Sequence, residues 1–241
     1  TLWSVTAAGA NPAGSVTIGA DTPAKAVCFN PANGELYVAG FPDAVARFSA
    51  DSAPHRLPDL TFAHDGTPVV SQALGVSPDG SQLAAGIAGR ELPRWNVSGV
   101  KPVALEPLGG FLSWTNDVSY SSDARQLIVA NSDKNAYVFD AEAGVLLQTL
   151  SGATIDTGAE LVGGRPVTSG ADGVLRVWQA HDPLLRTGST VYALSTDRGG
   201  RYLAASTISE GQELWDTTGE EPVRLADPDS DGRNLSAAVA I

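Results

Sequence analysis

SGADGVLRVW, residues 169–178, runs from a tight polar turn through a short strand to a tryptophan, with Asp172 six residues ahead of Trp178. The same ending recurs along the chain, in TLWSVT, ARFSAD, PRWNVSG, YVFDAEAG, RVWQAHD and ELWDTTGE. Its aromatics are Trp3, Phe48, Trp95, Phe139, Trp178 and Trp215, and their successive separations are 45, 47, 44, 39 and 37 residues. A period of about 40–45 residues suits four short strands with their turns. Almost no stretch offers helical spacing with helix formers. The chain therefore reads as an all-β repeat protein.

A second element keeps step with the first. FNPANGELYVAG, VSPDGSQLAAGI, YSSDARQLIVAN and LSTDRGGRYLAA each join an apolar strand end to a polar turn and then to a strand of small residues. This is how a hairpin between two inner strands reads. Between 155 and 170 the copy IDTGAELVGGRPVTSG is degraded but in register. A third element sits before the aromatic, where Asp133 in NSDKNAYVF matches Asp172.

These motifs resemble the WD-repeat family of β-propellers over essentially the whole chain. The resemblance rests on SPDG at 77–80, ADGVLRVW at 171–178 and the dipeptide Trp215–Asp216, echoed by Phe139–Asp140. It implies one domain, 1–241, of four-stranded antiparallel blades with the aromatic near the end of each third strand. The family's Gly-His pair between blades is missing, apart from a remnant at His64. The chain opens inside a third strand and stops at LSAAVAI, which reads as a first strand. A blade shared between the two ends gives a ring of six, or seven with one blade outside this sequence, and closure removes exposed sheet edges.

Composition bounds what the domain does. The 241 residues carry a formal charge of -12 and only 15 Lys and Arg, scattered, which argues against a nucleic-acid groove or an anionic membrane surface. No apolar run approaches the ~18–20 residues of a membrane span. Cys28, the lone cysteine, allows no internal disulfide and reads as a small buried apolar side chain. There is no GxSxG elbow, phosphate loop, HExxH or Cys/His cluster. His181 and Asp182 are adjacent, and neighbours on a strand or turn seldom face each other.

Trp114, in LGGFLSWTND, falls out of phase with the repeated aromatics and beside Phe111. It lies between an outer strand and the next inner strand, where propeller loops gather on one face. Trp114 and Phe111 are candidate partner contacts, since Trp is enriched among binding hot spots; the alternative is that Trp114 covers a gap between blades. His64 and Asp65 occupy the equivalent junction one blade earlier. Arg198 and Arg201 belong to a hairpin on the opposite face. In ADPDSDGRN, residues 226–234, Asp227, Asp229 and Asp231 alternate before Gly232, a spacing that suits calcium. As an EF-hand the loop fails, because the twelfth position from Asp227 is Ala238 and not Glu. It remains an acidic turn between blades, with calcium as the candidate ion.

The resemblance implies a non-catalytic scaffold that binds a protein partner, with no cofactor. The alternative class is a propeller hydrolase of the lactonase type, with a metal or acidic site at the channel mouth. The Ala and Gly content and imperfect repeats suggest a bacterial source. There such domains serve as sensor or docking arms of larger cytoplasmic signalling proteins, and the chain reads as a piece of such a parent.

Overall fold

The computed structural model describes residues 2–6, 9–14, 23–49, 54–63, 68–152, 156–178, 184–187, 190–197, 199–208, 211–219 and 222–225. A two-stranded hairpin, β1 (Leu2–Thr6) and β2 (Gly9–Gly14), precedes five antiparallel sheets of four strands each. The first sheet holds β3 (Ala26–Phe29), β4 (Leu36–Phe41), β5 (Ala44–Phe48) and β6 (Arg56–Thr61). The second holds β7 (Ser71–Val76), β8 (Gln82–Ile87), β9 (Glu91–Asn96) and β10 (Val103–Gly109). The third holds β11 (Thr115–Tyr120), β12 (Gln126–Asn131), β13 (Asn135–Asp140) and β14 (Leu146–Ser151). The fourth holds β15 (Asp156–Val162), β16 (Arg165–Gly170), β17 (Val174–Val177) and β18 (Leu184–Arg186). The fifth holds β19 (Val191–Thr196), β20 (Tyr202–Thr207), β21 (Gly211–Asp216) and the short β22 (Val223–Arg224). No helix occurs among the described residues.

Strand order in each sheet follows chain order, so every connection within a sheet is a hairpin. Burial explains the composition of the strands. The second strands LAAGI, LIVAN and LAAST are buried on both faces, between neighbouring sheets, and so carry no polar alternation. The fourth strands β10 and β14 are mostly exposed. Phe48, Trp95, Phe139 and Trp215 are buried on the third strands, where the spacing put them. Trp178 follows β17 and donates its indole N–H to Thr168 Oγ1 at 3.1 Å.

The first strands of successive sheets lie against one another from β3 to β19. Gly75 permits the close approach of β7 to β11, since a Cβ there would stand 2.7 Å from the Val118 carbonyl oxygen. A bulge recurs at the start of four first strands, between Ser71 and Ala73, Thr115 and Asp117, Asp156 and Gly158, and Val191 and Ala193. The extra residue re-aims the remainder of each strand, so Gly75, Ser119, Glu160 and Ser195 occupy equivalent positions. The polar turns repeat as well: Asp79 accepts from the Ser77 hydroxyl and Ser81 amide, and Asp123 from the Ser121 hydroxyl and Arg125 amide. Gly80 takes a φ of +71° in the first of these turns, a conformation glycine adopts without steric cost.

Among the described residues, each of the four junctions between successive four-stranded sheets carries a polar staple from a side chain to the neighbouring backbone. Asn30 donates to the Gly80 carbonyl at 3.0 Å, joining the first and second sheets. Arg94 donates to the Ala141 carbonyl at 2.8 Å, joining the second and third. Asp117 accepts from the Ala159 amide at 3.0 Å, joining the third and fourth. Arg165 donates to the Thr217 carbonyl, joining the fourth and fifth.

Candidate functional site

The loop from β10 to β11 is tied down along its backbone. Leu112 N–H donates to Asp133 Oδ2 at 3.0 Å, Asn131 Nδ2 to the Ser113 carbonyl at 3.1 Å, and Ser132 N–H to the Trp114 carbonyl at 2.9 Å. Asp133 is itself held by the Tyr137 hydroxyl at 2.7 Å and the Asn135 amide at 3.1 Å. Phe111 anchors the loop from below. It is 1% exposed, packs at 5.1 Å from the Tyr137 ring and 5.8 Å from Phe139, and shares a core with Leu92 and Leu108 of the second sheet. The reading of Phe111 as a surface contact is thereby corrected: its ring fills the junction between two sheets and is not available to a partner.

Above that anchor the loop presents Leu112, 70% exposed, and Trp114, 58% exposed. They border a hollow of about 650 Å³ whose other walls are Ala63, Ala88, Gly89, Arg90 and Glu91. His64 and Asp65 lie outside the described residues, although Ala63 reaches the same hollow. Asp227, Asp229 and Asp231, with their calcium expectation, also lie outside them, as do His181, Asp182, Arg198 and the strand expected over 235–241. Arg201 pairs with Asp216 at 3.1 Å. Cys28 packs partly buried against a core cluster, and burial pushes its thiol up to about 12, so it stays protonated and unreactive.

The sequence reading missed a second feature. One cavity of about 420 Å³ is lined by residues of all five first strands, including Val27, Leu74, Asp117, Glu160 and Leu194. Asp117 and Glu160 are only partly exposed, and among the described residues neither forms an ion pair. Asp117 Oδ1 accepts from the Val118 amide at 2.9 Å while Oδ2 accepts from Ala159, and the Ser119 hydroxyl donates to Glu160 Oε2. Burial raises Asp117 to about 6 against the pull of the two amides. Burial and then the Asp117 charge raise Glu160 to about 8. The available signal was the repeat alignment, which sets Glu160 where other copies carry Gly75, Ser119 and Ser195. The degraded turn at 163–164 concealed it. No group of three His, Cys, Asp or Glu suited to a metal occurs among the described residues. Nor does any described helix have the length and apolarity to cross a membrane.

Comparison with known proteins supports the fold. No protein-family model matches the chain. The solved structure titled "Structure of U3-55K" superposes with a TM-score of 0.72 at 16% identity, over 85% of this chain and 64% of that one. "Crystal structure of RRP9 WD40 repeats" matches with a TM-score of 0.72 at 16% identity, over 85% and 63%. The all-β architecture of four-stranded antiparallel sheets is thus similar to that of WD40 repeat domains. Among curated proteins, "Protein ANTHESIS POMOTING FACTOR 1" of Arabidopsis thaliana is 25% identical over 135 residues, 52% of this chain and 40% of that protein. The chain spans less than two thirds of each of these relatives. A plant relative gives the expected bacterial source no support.

Proposed function

We propose that the chain is a non-catalytic interaction platform whose partner is a protein that inserts an apolar side chain against Leu112 and Trp114. The observation that carries this reading is two large apolar side chains exposed on a loop whose backbone is fixed at three consecutive residues. Exposed apolar groups in a concave site favour association, and a loop already held in place loses little freedom on binding. Arg90 and Glu91 supply a polar rim, the arrangement that surrounds a binding hot spot. Variable loops on a rigid repeat scaffold suit this role.

A peptide-display selection against the whole chain tests it. Selected peptides lose about 30-fold or more in affinity to Trp114→Ala, the loss expected of a hot spot worth ~2 kcal/mol. A selection whose peptides bind wild type and Trp114→Ala alike overturns the reading. Service as the docking arm of a larger signalling protein is part of the same proposal.

The proposal also includes ring closure by both chain ends. Val27 and Phe29 on β3 are 60% and 55% exposed, an apolar face that a further blade would cover. Deleting residues 235–241 then lowers the melting temperature of the entire domain; an unchanged melting curve rules out closure by that segment.

A further inference from the structure

We infer that Asp117 and Glu160 form a proton-holding latch between the third and fourth sheets, closed while one proton stays on the pair and loosened when both carboxyls ionise. The geometry is that of a clip. From β11, Asp117 accepts the Ala159 amide of β15, and Ser119 donates to Glu160 of β15. Both bonds cross the same junction, inside a cavity walled in part by Leu74, Val76, Leu161 and Leu194.

No cation stands ready to neutralise the pair among the described side chains. Strands β7, β8 and β12, which pack against β11 or β15, carry no titratable residue. On β11 itself Tyr120 is buried, with Arg94 and Asp79 as its charged neighbours. On β13, Tyr137 bonds Asp133, and Asp140 caps the Glu142 and Ala143 amides. Arg165 of β16 is turned to the Thr217 carbonyl, and Tyr192 of β19 is exposed. Asp197, below β19 at the cavity edge, accepts three backbone amides and stays ionised. The two carboxyls therefore face each other's charge with only hydrogen-bond donors to stabilise it. Asp117, with two amides, ionises first, and Glu160 keeps the proton.

The direction of the pH response is set by these protonation states. Both groups hold their protons more tightly folded than unfolded, where ordinary values are 3.8 and 4.5. The stabilisation is complete below those values and is lost as pH rises through the folded ones, because the folded state then binds the extra protons. Between about pH 5 and 8 this pair makes the protein less stable as the solution becomes more alkaline, the reverse of acid denaturation. Since β11 begins one residue after Trp114, loosening reaches the strand that carries the apolar loop.

The test compares wild type with Glu160→Gln, in melting temperature and in hydrogen exchange of peptides covering 115–120 and 156–162, each corrected for intrinsic exchange. Wild type loses about tenfold in protection between pH 7 and 9, where Glu160 and not Asp117 gives up its proton, and Glu160→Gln loses almost none of it. Parallel pH curves for the two proteins overturn the latch. Should Glu160→Gln not fold, carbon-13 NMR of the wild-type carboxyls decides: a glutamate titrating near pH 8 supports the inference, and carboxyls that all titrate below pH 5 sink it. Neither measurement needs a partner, so the latch and the platform stand or fall separately.

Discussion

Phe111→Ala lowers the unfolding free energy by about 3–5 kcal/mol, the cost of truncating a buried aromatic in a core that cannot collapse onto the cavity. Trp114→Ala, three residues along the same loop, changes it by less than about 0.5 kcal/mol, as an exposed side chain away from caps and networks should. The contrast comes from position. The Phe111 ring lies edge-on against Tyr137 and Phe139 and reaches Leu92 and Leu108 across the sheet junction. Trp114 contributes its carbonyl to Ser132 and leaves its ring in solvent. Chemical denaturation of both variants checks the prediction, and equal costs would refute the division of this loop into anchor and contact. The second readout is the affinity for display-selected peptides: Phe111→Ala weakens it through the loop's position, whereas Trp114→Ala removes the contact and leaves the fold.

The repeat was legible because burial forces it. A third strand covered on both sides by neighbouring sheets needs a large apolar residue at a fixed place, and Phe48, Trp95, Phe139 and Trp215 supply it. The hairpin turns were legible for a similar reason: the Ser77–Asp79 and Ser121–Asp123 pairs cap their own backbones locally. Trp114 stood out by breaking phase. Phe111 deceived because adjacency in sequence says nothing about which of two aromatics points inward where a loop reverses. Asp117 and Glu160 were hidden for a different reason. Ser119 and Glu160 lie 41 residues apart and meet only because the bulge shifts both strands alike. A bulge leaves no residue signature in these four copies, so the side chains it aims into the cavity cannot be read without the strands.

The staples between sheets show the same limit, and Arg94 offers the sharpest test of them. Its guanidinium is buried and has no carboxylate partner among the described residues; Nη1 donates to the Ala141 carbonyl at 2.8 Å, and Nη2 and Nε to the Glu106 carbonyl at 3.1 and 3.3 Å. Burial holds its proton affinity below the usual arginine range, yet the charge is retained. Arg94→Leu keeps apolar bulk but leaves two carbonyls without this donor, and the cost is about 2–4 kcal/mol. Arg94→Lys recovers part of that, since an ammonium can reach one carbonyl but lacks the fork for both. A cost below about 1 kcal/mol for Arg94→Leu would mean that apolar packing and the Gln72 side chain, which donates to the Thr115 carbonyl at 3.0 Å, join the second and third sheets without it. The larger cost is expected because every described junction has its own such bond, from asparagine, arginine, aspartate and again arginine. In place of one polar network repeated in each blade, this chain joins its sheets with asparagine, arginine and aspartate side chains directed at the backbone of the next sheet. That is why the junctions hold although no motif for them recurs.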